Sequence, residues 1–167
     1  MTINLLVVEV TLSMNKEIIM ECGKSLKLNN IISREIPVQD NDEIQRIMHM
    51  FNSYMKTKGL TSYGPMIILN SSLIENNTII PVSKIMIQIR EEPESLEPPY
   101  TFDGIIKLSN CILARYRGDL FNLQMAYSKI QVYAFENELE LKDEIYSIFV
   151  KQDLSEIAVD VFVEIIS

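Results

Sequence analysis

Between Cys111 and Ile165 apolar and polar positions follow one another as strand, helix, strand, strand. An apolar run at Cys111–Tyr116, begun within Thr101–Ile106, reads as a strand. Gly118-Asp119 breaks it, and Asp119 is placed to cap a helix. That helix carries Leu120, Leu123, Ala126, Tyr127, Ile130 and Ala134 on one face. Glu144–Lys151 and Ile157–Ile166 then read as two further strands.

The same order occurs earlier in the chain. Leu28–Val38 reads as a strand ending at Pro37. Asp40 with Glu43 fits a capping box, followed by an apolar helix face of Ile44, Ile47, Met48, Phe51 and Met55. Lys56, Lys58 and Gly59 suit a helix C-terminus. Gly64-Pro65 turns the chain into a strand at Met66–Leu69, Asn76-Asn77 makes a hairpin tip, and Thr78–Ile89 returns. Pro81 marks an edge or a bulge in that return strand. Ahead of this unit, Met1–Leu12 reads as a strand and Ser13–Lys24 as a short helix.

The stretch REEPESLEPP has three prolines and no apolar period, which makes it a linker. The chain thus divides into a leading extension (1–27) and a domain (28–167), the latter with a first half at 28–89, a linker at 90–100 and a second half at 101–167. The helices superpose with Ile47 on Ala126 and Phe51 on Ile130. The flanking strands fit a shift two residues longer, with Arg34 on Arg115 and Ile67 on Ile148. The fold class that follows is α+β: two tandem β-α-β-β modules forming one mostly antiparallel sheet with two helices on one face. The opposite face, or the groove between the halves, is left for a ligand.

Charge narrows the choice of partner. The 167 residues carry a net charge of −8, and the densest basic spots are Lys56–Lys58 and Arg115–Arg117. A phosphate backbone or an anionic membrane demands clustered Lys and Arg, so neither direct nucleic-acid binding nor membrane docking is expected. No apolar run reaches the roughly 20 residues of a spanning helix, and no signal peptide is evident, so the expected location is cytoplasmic. Cys22 and Cys111 lie far apart, and His49 is the single histidine, on a polar helix stripe. One His and two distant Cys make no metal set, and no cofactor or catalytic residue is expected.

ILARYRGDLFNLQMAYSKI, EIYSIFVKQ and VDVFVEI resemble the C-terminal half of the GyrI-like effector-binding domain superfamily. IISREIP and the Gly64-Pro65 turn into MIIL resemble its first half, so that the likeness covers Leu28–Ile165. The resemblance implies a repeated strand–helix–strand–strand fold with a pocket between the halves. Members bind drugs and other organic cations, inhibit gyrase, or in some cases hydrolyse small electrophiles. KLNNIISREI and the GPMIILN…TIIPV run also look like a stand-alone Gram-positive branch encoded beside type VII secreted toxins. The family often has a pocket glutamate on the penultimate strand, two residues before an aromatic. This chain has Ser147 there, before Phe149.

Serine can neither neutralise a cation nor act as a carboxylate base, which weighs against both the cation-sensor role and the hydrolase role. The expected function is a non-enzymatic domain binding a small organic ligand between its halves. The alternatives are a protein-interaction adaptor or chaperone-like partner in a toxin or secretion locus and, third, a small-molecule hydrolase. Candidate ligand-binding residues are Tyr63, Met66, Tyr116, Tyr127, Tyr146, Ser147 and Phe149. Tyrosines at a seam can stack on a ligand and offer hydroxyls, or simply pack in the core. Met66 and Ser147 are taken as matched positions of the two halves. Glu144 and Glu164, alternating with apolar neighbours, are expected to face solvent.

Overall fold

The computed structural model describes residues 18–36, 41–153 and 156–166. Its elements are β1 (Ile18–Ile36), α1 (Asn41–Thr57), β2 (Ile67–Glu75), β3 (Thr78–Gln88), β4 (Thr101–Gly118), α2 (Gln124–Glu136), β5 (Leu141–Gln152) and β6 (Ile157–Ile165). The six strands form one antiparallel sheet that closes on itself in the order β1-β3-β2-β5-β6-β4. Closure is made by the two longest strands, with Ile18 opposite Tyr116 at one end of the ladder and Ser33 opposite Thr101 at the other. Exchanging β1, β2 and β3 for β4, β5 and β6 leaves that order unchanged, so the halves are related by a pseudo-twofold axis.

Three cores follow from this closure. The inner one takes residues from every strand and from neither helix: Leu26, Leu28 and Ile31, Ile67 and Leu69, Met86, Leu108, Cys111 and Leu113, Tyr146 and Ile148, and Phe162. The outer face carries the other two. Ile47, Phe51 and Met55 of α1 pack on Ile32, Ile85, Ile87 and Ile89. Ala126, Ile130 and Ala134 of α2 pack on Ile112, Ala114, Val159, Val161 and Val163. Both helices therefore sit on the same, outer side of the sheet, as the pattern predicts. The opposite side is not left open: it curls inward and fills itself.

The long strands switch sides midway. Asn30 (φ 48°) and Asn110 (φ 52°) take the left-handed backbone conformation that asparagine tolerates better than most residues. Leu26 and Leu28 point inward before Asn30 and Ile31 after it, just as Leu108 and Cys111 flank Asn110. These positions fix the true correspondence: Asn30 with Asn110, Ile31 with Cys111, Arg34 with Ala114. In β2 and β5 it is Ile67 with Tyr146 and Ile68 with Ser147, since Met86 and Phe162 are their respective β3 and β6 partners. The longer strand shift is therefore corrected. Arg34 does not fall on Arg115, nor Met66 on Ser147.

Other expectations change locally. Ile18–Lys24 belong to β1 and not to a helix, because Ile18–Glu21 pair with Leu113–Tyr116 of β4. Residues 1–17 and the capping position Asp40 lie outside the described residues. A 3-10 turn at Leu120–Asn122 precedes α2, and Asp119 contributes no side-chain cap. Its carbonyl instead accepts a hydrogen bond from the Tyr116 hydroxyl at 2.5 Å. Leu120, expected on the buried helix face, is exposed. The hairpin tip is at Asn76-Asn77, both with positive φ (49° and 63°), as a two-residue turn between twisted strands requires. The linker is fastened to α1: Tyr100 stacks on Tyr54 at 3.8 Å, and Glu97 accepts from Tyr54 at 2.6 Å and pairs with Lys58 at 2.5 Å.

Candidate functional site

Polar chemistry gathers at one end of the inner face. Tyr146 of β5 faces inward, opposite Leu69 on one side and Phe162 on the other, and is only 4% exposed. Asp103 pairs with Ile31 and shares its inward side, since directly opposed residues project together. Burial pushes the Tyr146 hydroxyl up to about 12, and the charges of Glu144, Asp103 and Glu164 add to it, with Glu144 also an acceptor for its proton. Asp103 and Glu144 are exposed, so their charges reach the buried phenol from the rim of the sheet.

Glu164 is the most firmly held of the three. Its Oε1 accepts from the Ser109 amide at 2.9 Å and the Ser109 hydroxyl at 3.3 Å, and its Oε2 pairs with Lys142. The Lys142 hydrogen bond, then the Ser109 amide, hold this carboxyl below the usual carboxylate range. Beside it Cys111, directly opposite on β4, is buried. Burial first, and the Glu164 charge second, push its thiol up to about 11. A thiol so placed stays protonated at neutral pH and is a poor nucleophile.

The equivalent positions of the first half are built alike but carry neither the thiol nor the phenol. The Asn29 amide donates to Gln88 Oε1 at 3.1 Å, the counterpart of Ser109 and Glu164. Ile31 stands where Cys111 is, and Ile67 where Tyr146 is.

The candidates from the sequence are divided by the sheet. Tyr146 alone lies inward. Tyr116, Tyr127, Phe149 and Met66 gather with the outer core beneath α2. Met66 also touches the core beneath α1, so it sits at the junction of the two helix layers. Ser147 is fully buried on that outer side, sharing a 2.8 Å hydrogen bond with the Tyr127 hydroxyl. Tyr63 lies at the surface, its amide donating to the Gln88 carbonyl at 3.0 Å.

Glu164 was read from the sequence as solvent-facing, yet its side chain is 13% exposed. Both faces of β6 are covered, by α2 outside and by the opposite strands inside. β6 has no exposed position, yet it carries two carboxylates, Asp160 and Glu164. Glu144 is exposed at the rim.

A concavity of about 390 Å³ lies between Thr57–Leu60 at the end of α1 and Glu91–Ser95 of the linker. It is open and shallow, and its acidic residues Glu91, Glu92 and Glu94 are exposed. Among the described residues no group of His, Cys, Asp and Glu is arranged to hold a metal ion. No helix among them is long and apolar enough to cross a membrane.

No protein-family model matches this chain, and no curated relative does. Solved structures do. EcmrR in its DNA complex superposes with a TM-score of 0.68 at 16% identity over 99% of this chain, which spans 64% of the EcmrR chain. The crystal structure of the EcmrR C-terminal domain superposes with a TM-score of 0.68 at 16% identity, covering 90% of this chain and 98% of that domain. SAV2435 bound to tetraphenylphosphonium gives a TM-score of 0.47 at 9% identity, over 90% of this chain and 94% of that one. The chain therefore has the fold of the EcmrR C-terminal domain, almost end to end.

Proposed function

We propose that this chain is a non-enzymatic binding domain of the GyrI-like type, taking a small organic cation at the acidic end of its inner face. The observation that carries this reading is the buried, inward-facing Tyr146, with Glu164 on the neighbouring strand and the charges of the exposed Asp103 and Glu144 felt at its hydroxyl. Carboxylates supply charge, and an aromatic ring supplies a face over which a cation is attracted. The lost family glutamate at Ser147 is replaced on this reading by Glu164, which reaches the inner face from the next strand. Binding rather than catalysis is favoured because the Cys111 thiol is held protonated, which makes it a poor nucleophile.

Titration calorimetry with crystal violet, an aromatic monocation, tests the proposal. Wild-type protein should bind. Glu164→Gln should weaken binding by about tenfold, in keeping with loss of a charge-assisted contact of roughly 1.5 kcal/mol. No heat of binding, or equal binding of a neutral triarylmethane, would overturn it.

An adaptor role is the second reading, favoured by Phe121 (96% exposed) and Phe135 (85% exposed) on and just before α2. Its test is a pull-down comparing wild type with Phe121→Ser/Phe135→Ser. A partner retained by wild type and lost by the variant supports it, and identical captures exclude it.

A further inference from the structure

The β2–β3 hairpin outgrows the barrel. Among the described residues β2 pairs with β5 over Ile67–Asn70 and β3 pairs with β1 as far as Ser83, while the two strands stay paired with each other out to Glu75 and Thr78. The arm so formed carries four exposed aliphatic residues: Leu73 (52%), Ile74 (77%), Ile79 (70%) and Ile80 (37%). Its counterpart, the β5–β6 hairpin, is ionic at the equivalent place, with Lys151 near Asp153 and Glu156.

The edges of the arm are closed to strand addition. Pro81 pairs with Ser72 at a position whose backbone nitrogen points away from β2, so the outer edge of β3 lacks a donor there. On the other edge, the Ser72 amide and hydroxyl both donate to Asp143 Oδ2, at 2.5 and 2.7 Å. What the arm offers is its faces. Strand alternation splits them. Leu73 and Ile80 form one directly opposed pair and continue the inward side of Leu69, whereas Ile74 and Ile79 form the next pair and lie outward.

The inward pair overhangs the acidic end. Leu69 is opposite Tyr146, and Leu73 lies four residues further along β2, roughly 13 Å at strand spacing. The Ser72–Asp143 contact fixes the root of the arm beside Glu144. We infer that Leu73 and Ile80 are specificity-determining residues of this site: they are the apolar wall against which the body of a large cation lies while its charge rests among Asp103, Glu144 and Glu164. This rests on the binding proposal above and adds the ligand's shape, an extended aromatic cation with its charge at one end or spread over its rings. Net charge favours a cation over a neutral occupant: Glu144 lies beside the root of the arm and the chain carries −8, against the single charge of Lys84, which stands opposite Leu69 on the same inward side.

The two faces of one hairpin provide the test. Crystal violet is titrated into wild type, Leu73→Ser/Ile80→Ser and Ile74→Ser/Ile79→Ser, with thermal melts to confirm that each folds. The inward double variant should bind about tenfold or more weakly, from the apolar area lost, and the outward one within about twofold of wild type. Equal affinity of the inward variant, or equal loss in both, overturns the inference. If wild type binds and Glu164→Gln weakens it while the inward variant does not, only the wall fails. If wild type does not bind, the binding proposal itself fails.

Discussion

Two ends of one inner face share a backbone and differ in chemistry. In each half an amide from the long strand, Asn29 or Ser109, donates to a side chain on the last strand, Gln88 or Glu164. The distances are 3.1 and 2.9 Å, so the scaffolding is the same. Around it the first half places Ile31 and Ile67 and the second places Cys111 and Tyr146. The shared part explains how the sheet closes. The part that differs is what the binding proposal builds on, because isoleucines buried in a core need no explanation whereas a buried phenol near carboxylates does.

The largest effect tests whether the halves are equally anchored. Phe51, fully buried under α1, corresponds to Ile130 under α2. Phe51→Ala should cost about 4 kcal/mol and Ile130→Ala about 3 kcal/mol, read from urea midpoints. A Phe51→Ala loss below about 1 kcal/mol would mean that α1 contributes little to the closed sheet.

The next effect belongs to the second half alone. Folded Tyr146 keeps its proton up to about pH 12, whereas an unfolded tyrosine gives it up near 10. Its raised value makes a stabilising contribution that is complete below about pH 10 and is lost as the pH climbs toward about 12. Tyrosinate absorbance should show a late-ionising group that disappears in Tyr146→Phe. Replacing Ile67, its counterpart, should leave that late ionisation in place. The smallest effect concerns the two thiols. Cys22 is exposed and Cys111 is buried with its thiol pushed up to about 11. A disulfide reagent should titrate one thiol in the native protein and the second only after unfolding.

The helices were legible because burial at three- and four-residue steps leaves a mark in the residues themselves: Ile47, Phe51 and Met55 match Ala126, Ile130 and Ala134. The β1–β4 closure was harder to read. A strand of alternating residues that reverses its inward side at Asn30 loses its period there, and a bulge between Glu21 and Lys24 breaks it again. The leading part of β1 therefore reads as something other than strand. Ser147 shows the limit of matching positions one by one. It was paired with Met66, but its register partner in the other half is Ile68, and it faces α2 rather than the inner core. Glu164 was missed as an inward group because its flanking residues Val163 and Ile165 pack on the outside, where a buried face is easily mistaken for the sole one.

The pseudo-twofold order of the strands has one more consequence. In a symmetric pair of identical chains, any substitution strikes both ends of the shared barrel at once, so a charge placed at one mouth is repeated at the other. Here both mouths belong to a single chain. Each can be altered without touching the other, and one end can stay a fixed apolar plug while the other varies. The first half is in that sense ballast for the second, and exchange of residues at Tyr146 and Glu164 should retune what is held without reopening the question of how the sheet closes.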